Sequence, residues 1–167
     1  SEELQRLKDL AKDKGTVIVE GKGGVTLKLQ PGVSFQVLSP EKDALEGLDT
    51  NNASLIVNCA YGKQDFLFTG DVDKEMMEKL LPLNREIEII KIPHHGSRGS
   101  YVESIYQELK PRIAVISAGR DNRYDHPHPE VLRGLEELGI QIYRTDRQGA
   151  IIFFTNGEDL WVKTMLS

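Results

Sequence analysis

A chain of 167 residues, 39% of them hydrophobic, can build one sizeable core but hardly two, and is too apolar for a disordered polypeptide. Its net charge of −5 excludes a surface that grips nucleic acid all over, so contact with a polyanion has to be local. A single cysteine, Cys59, excludes an internal disulfide, and no stretch approaches the ~20 apolar residues of a membrane span.

In chain order, Leu4, Leu7, Leu10 and Ala11 recur at helical spacing among charges, which predicts a helix over 2–14, stopped by Gly15. A β-branched run follows at 16–20. Segments 25–30 and 33–38 alternate around Pro31-Gly32, and segments 53–60 and 64–69 flank Tyr61-Gly62-Lys63, so each pair reads as an antiparallel hairpin. Residues 39–52 form a polar loop. A helix over 72–81, with Pro82 beyond its end, opens an alternating series: strands at 87–92, 112–117 and 140–144, helices at 100–109 and 129–138. Asn156-Gly157 closes a terminal hairpin between 149–155 and 160–165. Hairpins joined to βαβ units predict an α/β (α+β) protein, a mixed sheet flanked by helices, in a single domain over 1–167.

All four histidines fall in two clusters beside expected strand ends, His94-His95 and His126-Pro127-His128. Open α/β sheets place their chemistry at carboxyl strand ends, and imidazole both ligates metals and titrates near neutral pH. Successive residues leaving a strand point to opposite faces, so one of His94 and His95 is expected to face the site and the other to support it. Asp71, after Thr69-Gly70, is either an N-cap or a carboxylate held at the sheet rim to bridge two cations. His126 and His128, stiffened by prolines, are either a helix cap with solvated rings or a phosphate-contacting pair that includes a general acid. The acidic excess lies in residues 1–84. The later loops carry Arg98, Arg120 and Arg123 near the histidines, and Arg120-Asp121-Asn122-Arg123 is either a solvated loop or a phosphate contact.

Read together, Asn51-Asn52-x-Ser54-Leu55, Phe68-Thr69-Gly70-Asp71, Lys91-x-Pro93-His94-His95-Gly96-Ser97, Gly119-Arg120-x-Asn122-x-Tyr124 and His126-Pro127-His128-Pro129-Glu130 resemble the metallo-β-lactamase-like domain of the ComEC competence proteins. Asp125 stands where that pattern has glycine. The resemblance implies an αββα sandwich and a dinuclear hydrolase using Zn²⁺ or Mn²⁺, a nuclease that degrades the DNA strand not taken up. It implies Asp71 as bridging ligand and His94 or His95 as a further ligand; Asp71 and, on the reading of the residues themselves, His126 are the catalytic candidates. Ser97, Arg98, Arg120, Asn122, Arg123 and His128 are then the nucleic-acid contacts. It also implies a soluble domain of a polytopic inner-membrane protein, next to its channel portion.

The superfamily's His-x-His-x-Asp-His motif occurs nowhere in these residues. The chain is therefore expected to be the C-terminal portion of the domain, inactive by itself, partnered by the missing N-terminal half or by a second copy over its exposed apolar surface. Two other functions fit the same residues: a DNA-guiding module that does no chemistry, and a metallohydrolase of another phosphodiester.

Overall fold

The computed structural model describes residues 2–41, 49–81, 83 and 85–166. Pro82 and much of the 39–52 loop lie outside the described residues.

The alternating runs pair wherever a short turn brings them together. Strands β1 (Thr26–Gln30) and β2 (Val33–Ser39) form one antiparallel pair, β3 (Ile56–Tyr61) and β4 (Gln64–Phe68) another, and β2 joins β3. From β4 onward the sheet is parallel, because each link carries a helix. Short α2 (Lys74–Glu78) leads to β5 (Ile89–Lys91), α3 (Glu103–Leu109) to β6 (Ile113–Ile116), and α4 (Pro129–Glu137) to β7 (Gln141–Arg144). The seven strands lie in sequence order.

Register sorts the side chains into two faces. Leu67, Ile90 and Ala114 are aligned across β4, β5 and β6, and meet Met77, Ile105, Tyr106, Leu109, Val131 and Leu135 from the helices. This is the dry core. The opposite face carries Phe66, Phe68, Ile89, Lys91, Val115 and Tyr143, and the hairpin of β8 (Ile151–Thr155) and β9 (Leu160–Thr164) packs on it. Phe153 meets Phe66 edge-on at 6.5 Å between ring centres and Tyr143 at 6.1 Å. A cavity of about 300 Å³ remains between hairpin and sheet, and a second apolar groove of about 300 Å³ opens over β1–β3 beside Leu27, Leu29, Phe35 and Leu55.

Four expectations change. The first helix, α1 (Glu2–Asp13), forms but buries no residue, and Leu4, Leu7 and Leu10 are at least half exposed. Helical spacing makes an apolar stripe; burial needs a second surface. The 16–20 run forms no strand and leaves Val17, Ile18 and Val19 exposed. Residues 53–55 stay outside β3, since they turn to support a loop. A one-turn helix, α5 (Thr145–Gln148), follows β7 where none was expected. No described helix is long and apolar enough to cross a membrane.

The hairpin is docked turn against turn. Lys63 N–H donates to the Gly157 carbonyl at 2.6 Å, and Gln64 Nε2 donates to the Glu158 carbonyl at 2.8 Å. Gly62 has φ +59°, and a Cβ there would come within 2.3 Å of the Gly157 oxygen. Gly62→Ala is therefore expected to cost about 1–3 kcal/mol and to loosen β8–β9 selectively. Urea unfolding and amide hydrogen exchange of the hairpin measure this.

Candidate functional site

The carboxyl ends of β4, β5, β6 and β7 open on one rim of the sheet. After β4, Thr69 is buried and its hydroxyl donates to the Lys91 carbonyl at 2.7 Å. Gly70 turns left-handed at φ +59°, tight against Ser54, and Asp71 N–H donates to Ser54 Oγ at 3.3 Å. Two more residues pass before α2 begins. Its N-cap is Asp73, not Asp71: the Asp73 carboxylate accepts from Met76 N–H at 3.2 Å, and the Asn52 side chain clamps Asp73 at 2.7 and 3.0 Å. Asp71 is thereby left for the rim.

After β5 the chain enters a 3₁₀ turn, Pro93–Gly96, in which His94 and His95 both have positive φ, +46° and +56°. The expected strand alternation fails because the strand has already ended at Lys91. Both rings instead enter one cluster, 6.3 Å apart centre to centre. His95 Nδ1 lies 2.6 Å from the Ser117 carbonyl, which only accepts, so Nδ1 carries the proton. In the neutral ring the Nε2 lone pair then faces Asp71 Oδ2, 3.5 Å away. His94 N–H donates to the Gly70 carbonyl at 3.2 Å, tying the two loops together.

Lys91 completes this corner. Its Nζ donates to the Gly70 and Ile92 carbonyls at 2.9 and 3.3 Å and lies 3.6 Å from Asp71 Oδ1. Burial lowers the Lys91 pKa, and the Asp71 charge opposes that shift. A lysine closing the apolar run Ile89-Ile90 was the sequence signal for it.

The loop after β6 brings in the second histidine pair. The Asn122 side chain donates to the Gly119 and His126 carbonyls at 2.9 and 2.7 Å and accepts from Tyr124 and His126 N–H at 3.2 and 3.0 Å. Those four bonds exhaust the amide, so Asn122 shapes the loop and has nothing left for a nucleic acid, contrary to expectation. The His126 ring centre lies 5.7 Å from His94, 6.4 Å from His95 and 4.8 Å from His128. Burial first, then the charge of His128, His94 and His95, lowers the His126 pKa. His128 Nδ1 accepts from Arg98 N–H at 3.2 Å, and His128 N–H donates to the Gly96 carbonyl at 3.0 Å. Gly96, at φ +84°, sits so close to Pro127 that a Cβ would approach it to 2.6 Å.

Helix α5 holds the remaining wall. Thr145 Oγ1 both donates to the Ala118 carbonyl and accepts from Ala118 N–H, each at 2.9 Å, which steadies the Ser117 carbonyl that orients His95. Arg144 grips the Asp146 carboxylate at 3.1 and 2.6 Å. On the rim, exposed Arg98 faces Glu130 at 3.7 Å, Arg120 Nε donates to the Asp146 carbonyl at 3.4 Å, and Arg123 lies over the Tyr124 ring. Ser97 Oγ accepts from Gly99 N–H at 3.3 Å and keeps its own proton to donate.

The Asp71–His95 pair fits a divalent cation. Two ligands with bonds of about 2.1 Å at a tetrahedral centre stand about 3.4 Å apart, close to the observed 3.5 Å. Among the described residues, no group of three or more His, Cys, Asp or Glu is arranged to hold a metal. The rim thus offers two donors where a catalytic zinc takes three from protein.

The chain is 38% identical over 149 residues to ComE operon protein 3 of Bacillus subtilis, covering 88% of the chain and 19% of that protein. It is 32% identical over 125 residues to competence protein ComA of Neisseria gonorrhoeae, covering 73% of the chain and 18% of that protein. The chain belongs to the ComEC family. It spans less than a fifth of the length of these curated relatives. No family model matches it. Among solved structures, the ComEC-family chain is similar to a protein of Parabacteroides distasonis described as a metal-dependent hydrolase. The TM-score is 0.54 at 16% identity, over 83% of this chain and 61% of that one. A mutant of the β-hydroxylase CmlA gives 0.52 at 14% identity, over 77% of this chain and 32% of that one. These likenesses show the fold, a mixed sheet flanked by helices, shared with both structures.

Two outcomes test this geometry. Nitrogen-15 NMR of the His95 ring should show the Nδ1-protonated tautomer in the neutral form. The Arg144 guanidinium, hydrogen-bonded to Asp146, holds its carboxyl below the usual carboxylate range. Its contribution is then full above the unfolded value of about 3.9 and is lost as pH falls through the lower folded value. Asp146→Asn should lower stability near neutral pH by about 2 kcal/mol and flatten that part of the acid limb, measured by urea unfolding across pH.

Proposed function

We propose that this chain is part of a metal-dependent nuclease domain, acting on DNA during competence uptake and degrading the strand that is not transported. The supporting observation is the Asp71–His95 pair, with the Ser117 carbonyl holding the imidazole in the ligating tautomer. In this reading Asp71 and His95 hold Zn²⁺ or Mn²⁺, with His94 beside them, and further donors come from outside the described residues. A divalent cation there supplies Lewis-acid polarisation of a phosphoryl oxygen and acidifies water. Arg98, Arg120 and Arg123 engage phosphates, with Ser97 and His128 Nε2–H as additional donors. In this reading His126, whose pKa is lowered first by its own partial burial and then by the charges of His128, His94 and His95, moves a proton to or from the reacting phosphodiester.

The leucines of α1, the groove over β1–β3 and the outer face of β8–β9, with Phe154 and Trp161, leave large apolar side chains exposed. In this proposal the rest of the domain, or a second copy, covers them. The whole is tethered at the inner membrane beside the channel portion of a longer protein.

A second reading, a DNA-guiding module without chemistry, draws support from Lys91, whose ammonium already faces Asp71 as a built-in cation. The two readings separate in a protein of the relatives' full length. Asp71→Asn and His95→Ala should each lower Mn²⁺- or Zn²⁺-dependent cleavage of linear DNA more than about 100-fold while sparing metal-independent DNA binding. Absence of metal-dependent cleavage by the wild type would remove the nuclease reading, and undiminished cleavage by both variants would remove Asp71 and His95 from its site. The 167 residues alone should bind either cation only weakly by calorimetry.

A further inference from the structure

Tyr124 is unusual on this rim: a large ring, 56% exposed, held stiffly in place. Its backbone N–H donates to Asn122 Oδ1, and the turn is set by Asp121 and Asp125 at φ +52° and +55°. The ring stacks on His126 at 5.7 Å between centres with planes 23° apart. His126 in turn lies 27° from the plane of His95, whose Nε2 faces Asp71. The Arg123 guanidinium carbon sits 4.6 Å from the Tyr124 ring centre, and Arg123 donates to the Tyr124 hydroxyl. A run of flat groups therefore leads from solvent, through Arg123, Tyr124 and His126, to the corner that holds Asp71.

A stiffly held exposed aromatic beside three exposed arginines, Arg98, Arg120 and Arg123, has the parts of a base-stacking platform. We propose that Tyr124 stacks an unpaired nucleobase of a single-stranded nucleic acid, with Arg123 leaving the ring to take the adjoining phosphate. This rests on the nucleic-acid reading of the same rim and deepens it by naming the substrate class. In a duplex the bases already stack on one another, so only an unpaired stretch or a frayed end can use the platform. Phosphate contacts alone cannot make that distinction.

The test needs no metal, so it is separate from catalysis. Fluorescence anisotropy in chelator compares the wild-type protein with Tyr124→Ala and Tyr124→Trp on three labelled probes: a single-stranded oligonucleotide, an abasic strand of equal length and a blunt duplex. Tyr124→Ala should weaken single-strand binding about 5- to 150-fold, Tyr124→Trp should preserve it, and abasic-strand binding should be the same for all three proteins. Circular dichroism checks that the variants fold, as expected for an exposed side chain. Equal single-strand affinity in wild type and Tyr124→Ala overturns the platform while leaving the phosphate contacts standing. No binding of any probe by wild type overturns the platform and the DNA reading together.

Discussion

Two backbone hydrogen bonds, His94 N–H to the Gly70 carbonyl and His128 N–H to the Gly96 carbonyl, hold three loops in one place. Without them Asp71, His95 and His126 would belong to separate strand ends. Each bond depends on close backbone approach. Gly70 presses on Ser54 and Gly96 on Pro127, both in left-handed conformations that a side chain would strain. The positive φ values of His94 and His95 belong to the same device: non-glycine residues rarely rest there, and they do so where surrounding bonds over-determine them. Backbone conformation, more than side-chain choice, makes the rim a site.

Within that frame the electrostatics are asymmetric. Asp71 meets a lysine ammonium at one oxygen and an imidazole lone pair at the other. Lys91 lies in the row of Phe68 and Val115, and its contacts with two carbonyls and a carboxylate offset part of the cost of burying its charge. It therefore both anchors the Gly70 turn and supplies charge to it. The supporting residues, Asn52, Ser54, Thr69, Asn122 and Thr145, act through hydrogen bonds to backbone, which leaves Asp71 and the histidine rings free to face outward.

The two faces of the sheet differ in the same spirit. The helix face is closed and dry, with Leu67, Ile90 and Ala114 under three helices. The other face is covered at one end only, by β8–β9, and its remaining apolar side chains line open grooves.

Much of this was legible in the residues alone. Period-two and helical spacings located all nine strands and four of the five helices described, because amphipathic patterns follow the geometry of the element that buries them. The crowding of four histidines beside strand ends marked the rim, since charged and ligating groups have few structural reasons to gather there. Tertiary structure alone decided the rest. That Asp73 rather than Asp71 caps α2 depends on Asn52, twenty-one positions away in sequence. That His94 and His95 enter one cluster depends on a turn type invisible in their spacing. That Asn122 serves the loop, and that α1 buries nothing, depends on which surfaces meet. Local pattern sets what an element is; only the bonds between distant loops set which atoms face each other.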